Sequence, residues 1–291
     1  MKQLKDVPDD IYHLFDADNP HVPTEENLET FAENCKQLIK ARLGPPRKNA
    51  DPLRFSVLGK PDRQVWYAAN TPEDQKERLA GKQQLKFLYG DIIEQLVLLL
   101  VKEAGHTVEM EQAELEVDGV FGHIDAVIDG VTVDVKSASP MAYQKFERGT
   151  LFEDDAFGYI GQISSYASIV TPETGGAFLA FDKVGGDICV LNVGPSITNG
   201  FHVGERIRHL RDVIASKSKP PRCYSDKEDG KSGNRQLGLN CSYCSFKKDC
   251  WSDANQGRGL RTFLYSGKPR FLTNVAITPD VIEVTRIQDE V

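Results

Sequence analysis

Residues 123–136, HIDAVIDGVTVDVK, constrain the fold of this chain more than any other stretch. Two short runs of alternating residues flank Asp129-Gly130, and Asp-Gly is the typical pair of a two-residue type I′ hairpin turn. We therefore expect two antiparallel strands in which Ile128 lies opposite Val131. Every other pair of the hairpin follows from that register.

The two aspartates of this hairpin are predicted to lie side by side. Counting from the turn places Asp125 opposite Asp134 and His123 opposite Lys136. Because side chains alternate between the faces of a strand, Asp125, Asp134 and Lys136 would share one face and the apolar residues the other. Opposed carboxylates destabilise a ladder by up to ~1 kcal/mol, and a bound Mg²⁺ or Mn²⁺ would remove that repulsion. The alternative is an ordinary solvated polar face on an edge hairpin.

Two helical patterns flank the hairpin. Gly90 and Glu94 lie four residues apart in LKFLYGDIIEQLVLLLVKEAG, and so do Gln162 and Tyr166 in DDAFGYIGQISSYASIV. Residues at this spacing share a helix face. Gly90 would let its helix approach the sheet closely enough for the Glu94 carboxylate to reach a metal. The alternatives are a solvent-facing Glu94 and a buried Tyr166 that is satisfied by Gln162.

Together these motifs resemble the core of the PD-(D/E)XK nuclease superfamily. The G-x-x-D and D-x-K elements correspond to residues 122–125 and 134–136. The helical G-x-x-x-E and Q-x-x-x-Y motifs resemble those of its RecB-like branch, which includes CRISPR-associated exonucleases. The resemblance covers roughly residues 53–251. It implies a restriction-endonuclease-like α/β fold, in which helices flank a central mixed β-sheet.

The resemblance also implies a role for each motif residue. Asp125, Asp134 and the backbone carbonyl of Val135 would bind one or two Mg²⁺ or Mn²⁺ ions, and Glu94 would add a ligand directly or through water. Lys136 would orient the attacking water or stabilise charge on the phosphate. The residues expected to contact DNA are Gln162, Tyr166 and His123, with His123 alternatively supporting Lys136 from the opposite strand.

The predicted function is metal-dependent hydrolysis of DNA, with an exonuclease of recombination, repair or viral genome processing favoured. The alternatives are a structure-specific endonuclease, a catalytically inactive nuclease-fold module that binds DNA or serves in assembly, and another Mg²⁺-dependent hydrolase. No P-loop motif occurs in the 291 residues. A helicase or recombination partner would therefore supply any unwinding, and a homo-oligomer could enclose the DNA.

Four of the six cysteines crowd together as C-x17-C-x2-C-x5-C. In a cytoplasmic protein this spacing favours metal ligation over disulfides. Four thiolates suit Zn²⁺ or a 4Fe-4S cluster as a structural staple, and the candidate ligands are Cys223, Cys241, Cys244 and Cys250. The C-x2-C-x5-C triplet resembles that of iron-sulfur nucleases in the RecB-like branch, but Pro61 stands where their fourth cysteine is expected. Cys223 would have to replace that ligand, which leaves zinc and iron-sulfur both open.

The net charge of −8 means that DNA contact must come from a local basic surface. The clearest basic stretch is residues 204–222, for which a solvated helix face is the alternative. The N-terminus lacks the apolar core of a signal peptide, and the apolar run at residues 96–101 is too short to span a bilayer. We expect no membrane association and a cytoplasmic location, or the host cytoplasm if the chain is viral.

The length fits one large α/β domain with decorations, or two small domains. We predict a helical extension over residues 1–52, the nuclease core over 53–222, the cysteine segment over 223–251 and a tail over 252–291. Within the extension, a helix should run from Thr24 to Leu43 and end before Gly44-Pro45-Pro46. A second hairpin is expected with Gly185-Gly186 at its turn.

Overall fold

The computed structural model describes residues 2–44, 52–75 and 81–284. The chain divides into two compact units, unit 1 comprising Met1–Gly59 and Leu79–Leu210, and unit 2 comprising Lys60–Arg78 and Arg211–Val291. Contacts therefore group the predicted N-terminal extension with most of the predicted core. They also group residues 60–78 with the C-terminal segments. The four-part division by function remains a prediction.

The secondary structure alternates between helices and strands through most of unit 1. The α-helices are α1 (Val7–His13), α2 (Glu25–Leu43), α3 (Phe55–Leu58), α4 (Asp62–Asn70), α5 (Gly81–Glu103), α6 (Pro140–Glu147), α7 (Tyr159–Val170), α8 (Pro195–Thr198), α9 (Val203–Ala215), α10 (Leu239–Ser242), α11 (Lys247–Cys250) and α12 (Ala254–Gly257). The strands are β1 (Val108–Glu109), β2 (Glu114–Val117), β3 (Val120–His123), β4 (Ala126–Ile128), β5 (Val131–Ala138), β6 (Gly176–Asp182), β7 (Ile188–Val193), β8 (Lys227–Glu228), β9 (Arg235–Gln236), β10 (Arg261–Tyr265), β11 (Lys268–Asn274) and β12 (Glu283–Val284). Short 3-10 helices occupy Leu4–Asp6, Glu73–Gln75 and Thr150–Phe152.

A mixed sheet forms the centre of unit 1, with the strand order β1-β4-β5-β6-β7. Strands β5 and β6 run parallel, and the other neighbouring pairs are antiparallel. The β6–β7 pair confirms the predicted second hairpin, and Gly186 at its turn has a φ of +82°. Helices cover both faces of the sheet. The predicted α/β class, a mixed central sheet flanked by helices, is confirmed.

The alternation of side chains along β5 and β6 explains the two helical layers. Val133 and Val135 on β5 face the helix α5, in a buried cluster that also contains Val97 and Val101 of that helix. Residues of β6 that point the other way, Phe178 among them, pack with α6 and α7. Both faces of these strands are buried, as is usual for strands in a parallel pair.

The first predicted hairpin is confirmed near its turn and wrong beyond it. The pairs Ile128–Val131, Val127–Thr132 and Ala126–Val133 form as predicted. The ladder stops there, and the next pairs in the predicted register, including Asp125–Asp134 and His123–Lys136, do not form.

A second Asp-Gly turn explains why the ladder stops. Asp118 and Gly119, with φ of +50° and +72°, join β2 to β3 as a two-residue hairpin. Strand β3 is thus paired with β2, and the carbonyl of Asp125 accepts the N–H of Gln112 at 3.1 Å. Residues 120–125 are drawn away from β5 by this pairing.

The predicted helix in the N-terminal extension is confirmed as α2, which ends at Leu43. The predicted stop at Pro45-Pro46 lies outside the described residues. Helix α2 packs antiparallel to α5: Asn34 donates to Gln95 at 2.8 Å near the middle, and Asn27 donates to Glu103 at 2.6 Å near the start of α2.

Unit 2 contains an antiparallel sheet in the order β12-β10-β11-β9-β8. Trp251, Leu237 and Phe271 form its small buried cluster, against which Cys241 and Cys250 pack. In the described ranges, no helix combines the length and apolar character needed to cross a membrane.

Candidate active site

Asp125 does not pair with β5 through its backbone, but its side chain contacts that strand. Asp125 Oδ2 accepts the backbone N–H of Val135 at 2.7 Å, in the place of a strand partner. The carboxylate is therefore fixed one residue from Asp134 on β5. The predicted cross-strand pair is wrong, but the two carboxylates are still neighbours.

Asp134 is the most enclosed carboxylate of the group, with 3% of its surface exposed. Its Oδ1 accepts a hydrogen bond from Gln162 Nε2 at 3.2 Å. Its Oδ2 forms an ion pair with Lys136 Nζ. The Lys136 ammonium also lies 4.8 Å from the centre of the Tyr159 ring.

Glu94 reaches the same region from α5. A Cβ added at Gly90 would lie 3.1 Å from Ser137 Oγ on β5, so this turn of α5 packs tightly on the sheet. Gln112 Nε2 donates to Glu94 Oε1 at 2.7 Å. The predicted reason for Gly90, close approach of helix and sheet, agrees with this geometry.

The proximity of the acidic side chains raises the pKa values of Glu94 and Asp125. Burial, followed by the charge of Asp134, raises the pKa of Glu94 to about 7. Burial and the charges of Glu94 and Asp134 raise the pKa of Asp125 well above its ordinary value. Burial alone would lower the pKa of Lys136, but Asp134 and Asp125 outweigh it, so the net shift is upward. Lys136 is therefore a cation at neutral pH.

Tyr166 is buried and packs against the residues that carry the acidic group. Its ring stacks on Phe55 with centroids 5.1 Å apart, and 4% of the residue is exposed. A Cβ on Gly122 would approach Phe55 Cβ to 2.5 Å and Tyr166 Oη to 2.8 Å, which explains the glycine of the G-x-x-D motif. Burial and the charges of Asp134 and Asp125 raise the pKa of Tyr166. The Gln162 side chain donates its hydrogen bond to Asp134 and not to the Tyr166 hydroxyl, which was the alternative role considered for it.

His123 is not opposite Lys136, contrary to prediction. It pairs with Glu114 across the β2–β3 hairpin, and its Nε2 lies 3.4 Å from Glu114 Oε2. The second Asp-Gly pair, Asp118-Gly119, is the sequence signal that would have predicted this register.

A cleft of about 610 Å³ opens beside Glu94 and Asp125. The sequence predicts helices at several of the other lining residues but does not identify any of them as part of a site. They are Asn34, Gln37, Leu38, Ala41, Arg42, Arg54, Asp91, Gln95 and Gln112. They come from segments far apart in sequence, so no local pattern identifies them.

The donors near the cleft suit a hard divalent cation, although they do not form a closed cage. No three His, Cys, Asp or Glu side chains among the described residues are arranged as a preformed metal site. The mutual repulsion of Glu94, Asp125 and Asp134 is what a cation with oxygen ligands would relieve. The set of donors therefore fits Mg²⁺ or Mn²⁺, provided that the Lys136 ammonium turns from Asp134 toward a phosphate.

The four clustered cysteines all lie in unit 2, where none forms a disulfide. Burial, and then the charges of Cys244 and Cys250, raise the pKa of Cys241 to about 11. Arg63 Nε donates to Cys250 Sγ at 3.1 Å.

The Cys223 thiol lies next to the backbone of Arg63 and Gln64 in the first turn of α4. Burial raises the pKa of its thiol, and the backbone N–H groups of Gln64 and Arg63 partly offset the shift. Pro61, where the sequence comparison with iron-sulfur nucleases predicts a cysteine, is the N-cap of α4. Cys223 is therefore close to the position predicted for the missing cysteine, and its role as a ligand stays a prediction.

Two ends of the basic stretch have structural partners. Arg206 Nε donates to the carbonyl of Leu58 at 2.9 Å within unit 1. Arg222 stacks on Trp251 at 4.1 Å and donates to the carbonyl of Cys250 within unit 2.

Comparison with known proteins adds little. No protein-family model matches the chain. No curated protein matches it. The crystal structure of the protein SSO0001 is similar to this chain, with 17% sequence identity and a TM-score of 0.39. The similar region covers 75% of this chain and 93% of the SSO0001 chain. Similarity of this extent identifies neither a family nor a function.

Proposed function

We propose that the chain is a metal-dependent deoxyribonuclease of the PD-(D/E)XK type, with exonuclease action favoured. The observation that carries the proposal is the proximity of Glu94, Asp125, Asp134 and Lys136, of which Glu94 and Asp125 line one cleft, with Gln162 hydrogen-bonded to Asp134. Three acidic groups and a half-buried lysine are a costly arrangement in a structural core, and phosphodiester hydrolysis uses each of them.

In this proposal Asp125, Asp134 and the carbonyl of Val135 hold one or two Mg²⁺ or Mn²⁺ ions, with Glu94 as a further ligand. A metal ion in such a site lowers the pKa of a bound water and neutralises charge on a phosphate. Asp125 is oriented by the Val135 N–H, and Asp134 by Gln162. These hydrogen bonds set the direction of each carboxylate before substrate arrives.

Lys136 supplies a fixed positive charge. Its pKa is raised, so it donates no proton near neutral pH and acts by stabilising negative charge on the scissile phosphate. The Tyr159 ring at 4.8 Å positions the ammonium. Tyr166, being buried, contributes by supporting the segment that carries Asp125.

The same proposal assigns Cys223, Cys241, Cys244 and Cys250 to a structural Zn²⁺ or 4Fe-4S site in unit 2. The support is their mutual electrostatic influence and the Arg63 hydrogen bond to Cys250. A restriction-endonuclease-like core would then be unit 1.

One observation favours a second candidate, a catalytically inactive module that binds DNA. Lys136 already forms an ion pair with Asp134, which neutralises that carboxylate without a metal. An inactive module would bind DNA and leave it intact under all metal conditions.

A cleavage assay separates the two candidates. End-labelled single- and double-stranded DNA would be incubated with Mg²⁺ or Mn²⁺ and wild type, Asp134→Ala, Lys136→Ala or the control Lys145→Ala, whose partner is the exposed Asp154. We expect cleavage by wild type and the control, and a loss of about 100-fold or more in the two site variants. Intact DNA with every protein, or equal cleavage by all four, would contradict the proposal.

A further inference from the structure

Gln112 connects two of the acidic residues of the candidate site. Its side-chain Nε2 donates to Glu94 Oε1 at 2.7 Å, and its backbone N–H donates to the carbonyl of Asp125 at 3.1 Å. All three residues line the same cleft. Gln112 therefore joins residues that come from different parts of the chain, Glu94 from the helix α5 and Asp125 from the segment between β3 and β4.

Gln112 belongs to a tight turn between β1 and β2. The N–H of Ala113 donates to the carbonyl of Met110 at 3.0 Å, and Gln112 is the third residue of the turn that this hydrogen bond closes. The φ of Gln112 is +54°. Turns that need a positive φ at this position usually carry glycine or asparagine, because a Cβ makes the left-handed region unfavourable. Glutamine is therefore a poor residue for the backbone of this turn.

The Asp-Gly hairpins show the contrast. Asp118 and Asp129 also have positive φ, but each precedes a glycine in a two-residue hairpin turn, where aspartate is favoured. Gln112 lies in no such pair. Strained non-glycine residues of this kind cluster at functional sites, where the side chain has a role that outweighs the strain. The side chain of Gln112 contacts Glu94.

Contacts on both sides hold this turn in place. On one side, Glu111 forms an ion pair with Lys102 of α5. On the other side, the carbonyl of Ala113 accepts the N–H of Ile124 at 3.1 Å. The turn is thus attached both to the helix and to the segment that carry the acidic residues, so the direction of the Gln112 amide is set before any ligand binds.

We propose that Gln112 is a positioning residue for metal binding, which holds the Glu94 carboxylate in the orientation that coordinates the cation. The inference rests on the proposed nuclease function, because it requires Glu94 to be a metal ligand. A hydrogen bond to one carboxylate oxygen restricts rotation of the group, so less ordering is needed when the metal ion binds.

Substitutions within the turn test this inference. The proteins compared would be wild type, Gln112→Gly, Gln112→Asn and the control Met110→Gly. Glycine and asparagine both suit a positive φ, but glycine has no amide side chain and the side chain of asparagine is one carbon shorter, so neither should reach Glu94. Met110 lies in the same turn with a φ of +51°, is 46% exposed and lies outside the cleft lining.

Calorimetric titration with Mn²⁺ would measure the affinity of each protein for the metal. We expect the two Gln112 variants to bind Mn²⁺ about 10- to 100-fold more weakly than wild type, the usual loss when the hydrogen-bond partner of a metal ligand is removed. Met110→Gly makes the same backbone change as Gln112→Gly, so it should shift the midpoint of urea unfolding in the same direction but leave the Mn²⁺ affinity unchanged.

DNA cleavage over a range of Mn²⁺ concentrations gives a second measurement. The Gln112 variants should cleave more slowly than wild type at limiting Mn²⁺ and should recover as the Mn²⁺ concentration is raised, because the defect lies in metal binding. Met110→Gly should cleave as wild type does at every Mn²⁺ concentration.

The outcomes separate the role of Gln112 from the nuclease proposal. Equal Mn²⁺ affinity in wild type and both Gln112 variants, with DNA cleaved by all of them, would overturn the role of Gln112 and leave the nuclease proposal standing. An equal loss of affinity in Met110→Gly would also overturn that role, since the shape of the turn and not the amide would then matter. If wild type neither binds Mn²⁺ nor cleaves DNA, both proposals are wrong.

Discussion

Asp125 shows how a side chain can substitute for a missing strand partner. Its Oδ2 accepts the Val135 N–H that the ladder would otherwise have satisfied. A buried backbone donor without a partner costs about 1–3 kcal/mol, so the carboxylate stabilises β5 while it is held next to Asp134. One hydrogen bond thus serves both the fold and the candidate site.

Glu94 should make the metal-free protein sensitive to pH. Its folded pKa is raised from 4.5 to about 7, so its contribution to stability is complete below about pH 4.5 and is lost as the pH rises through about 7. Between pH 5 and 8 in EDTA, wild type should lose on the order of 1–3 kcal/mol more stability than Glu94→Gln, which cannot ionise.

Urea denaturation at a series of pH values measures this difference. Because the charge of Glu94 also raises the pKa of Asp125, the difference between the two proteins measures Glu94 together with its repulsion of Asp125. Identical dependence of the unfolding free energy on pH in the two proteins would show that Glu94 is not in a desolvated, acidic environment.

Hairpins and helices of unit 1 could largely be predicted from local patterns. The Asp129-Gly130 turn, the helix with Glu94 and the helix with Gln162 were all predictable, because turn chemistry and helical periodicity are local. The register beyond Ala126 was not obtained by counting from one turn, because the nearby Asp118-Gly119 turn pairs β3 with β2 instead.

The remainder of the site depends on contacts between distant segments. Arg54, Gln112 and Tyr159 reach the acidic group through the packing of α3, α7 and the loop before β2. No short motif specifies such contacts. Asp125, Asp134 and Lys136 were predictable because they lie on either side of one turn.

Gly122 should be intolerant of a side chain. A Cβ there would come within 2.5 Å of Phe55 and 2.8 Å of Tyr166 Oη, and overpacking of this kind costs about 1–3 kcal/mol. Gly122→Ala should therefore lower the free energy of unfolding by that amount, as measured by urea denaturation.

Gly194→Ala is the matched control for this substitution. No described atom lies within 4 Å of a Cβ built at Gly194, and its φ of −63° suits any residue. Gly194 is the N-cap of α8, where alanine is less favourable than glycine, and we expect a loss of less than about 1 kcal/mol there. Equal destabilisation by the two substitutions would contradict the close packing of Phe55 and Tyr166 on β3.

The division into two units separates the candidate chemistry from the candidate staple. The acidic group lies wholly in unit 1 and the four clustered cysteines wholly in unit 2. The sequence predicted the members of each group but not the grouping of residues 60–78 with the C-terminal segments, because that grouping arises from long-range contacts.

Metal content tests the staple. Protein purified without oxygen should contain zinc, or iron with absorption near 400 nm, and Cys250→Ser should lose most of it because Cys250 is a proposed ligand. Cys35→Ser, in unit 1, should keep the metal. Elemental analysis that finds no metal in wild type, or equal metal in both variants, would rule out ligation by this group.

Calorimetric titration with Mn²⁺ tests most directly whether Glu94, Asp125 and Asp134 form a metal site, on which the nuclease proposal depends. The proteins compared would be wild type, Asp134→Asn and the control Asp154→Asn, whose carboxylate pairs with Lys145 at the surface. We predict that wild type and the control bind Mn²⁺ alike and that Asp134→Asn binds at least about tenfold more weakly, a loss of about 1.4 kcal/mol or more. Equal binding by Asp134→Asn and wild type, or no binding by wild type, would contradict the account.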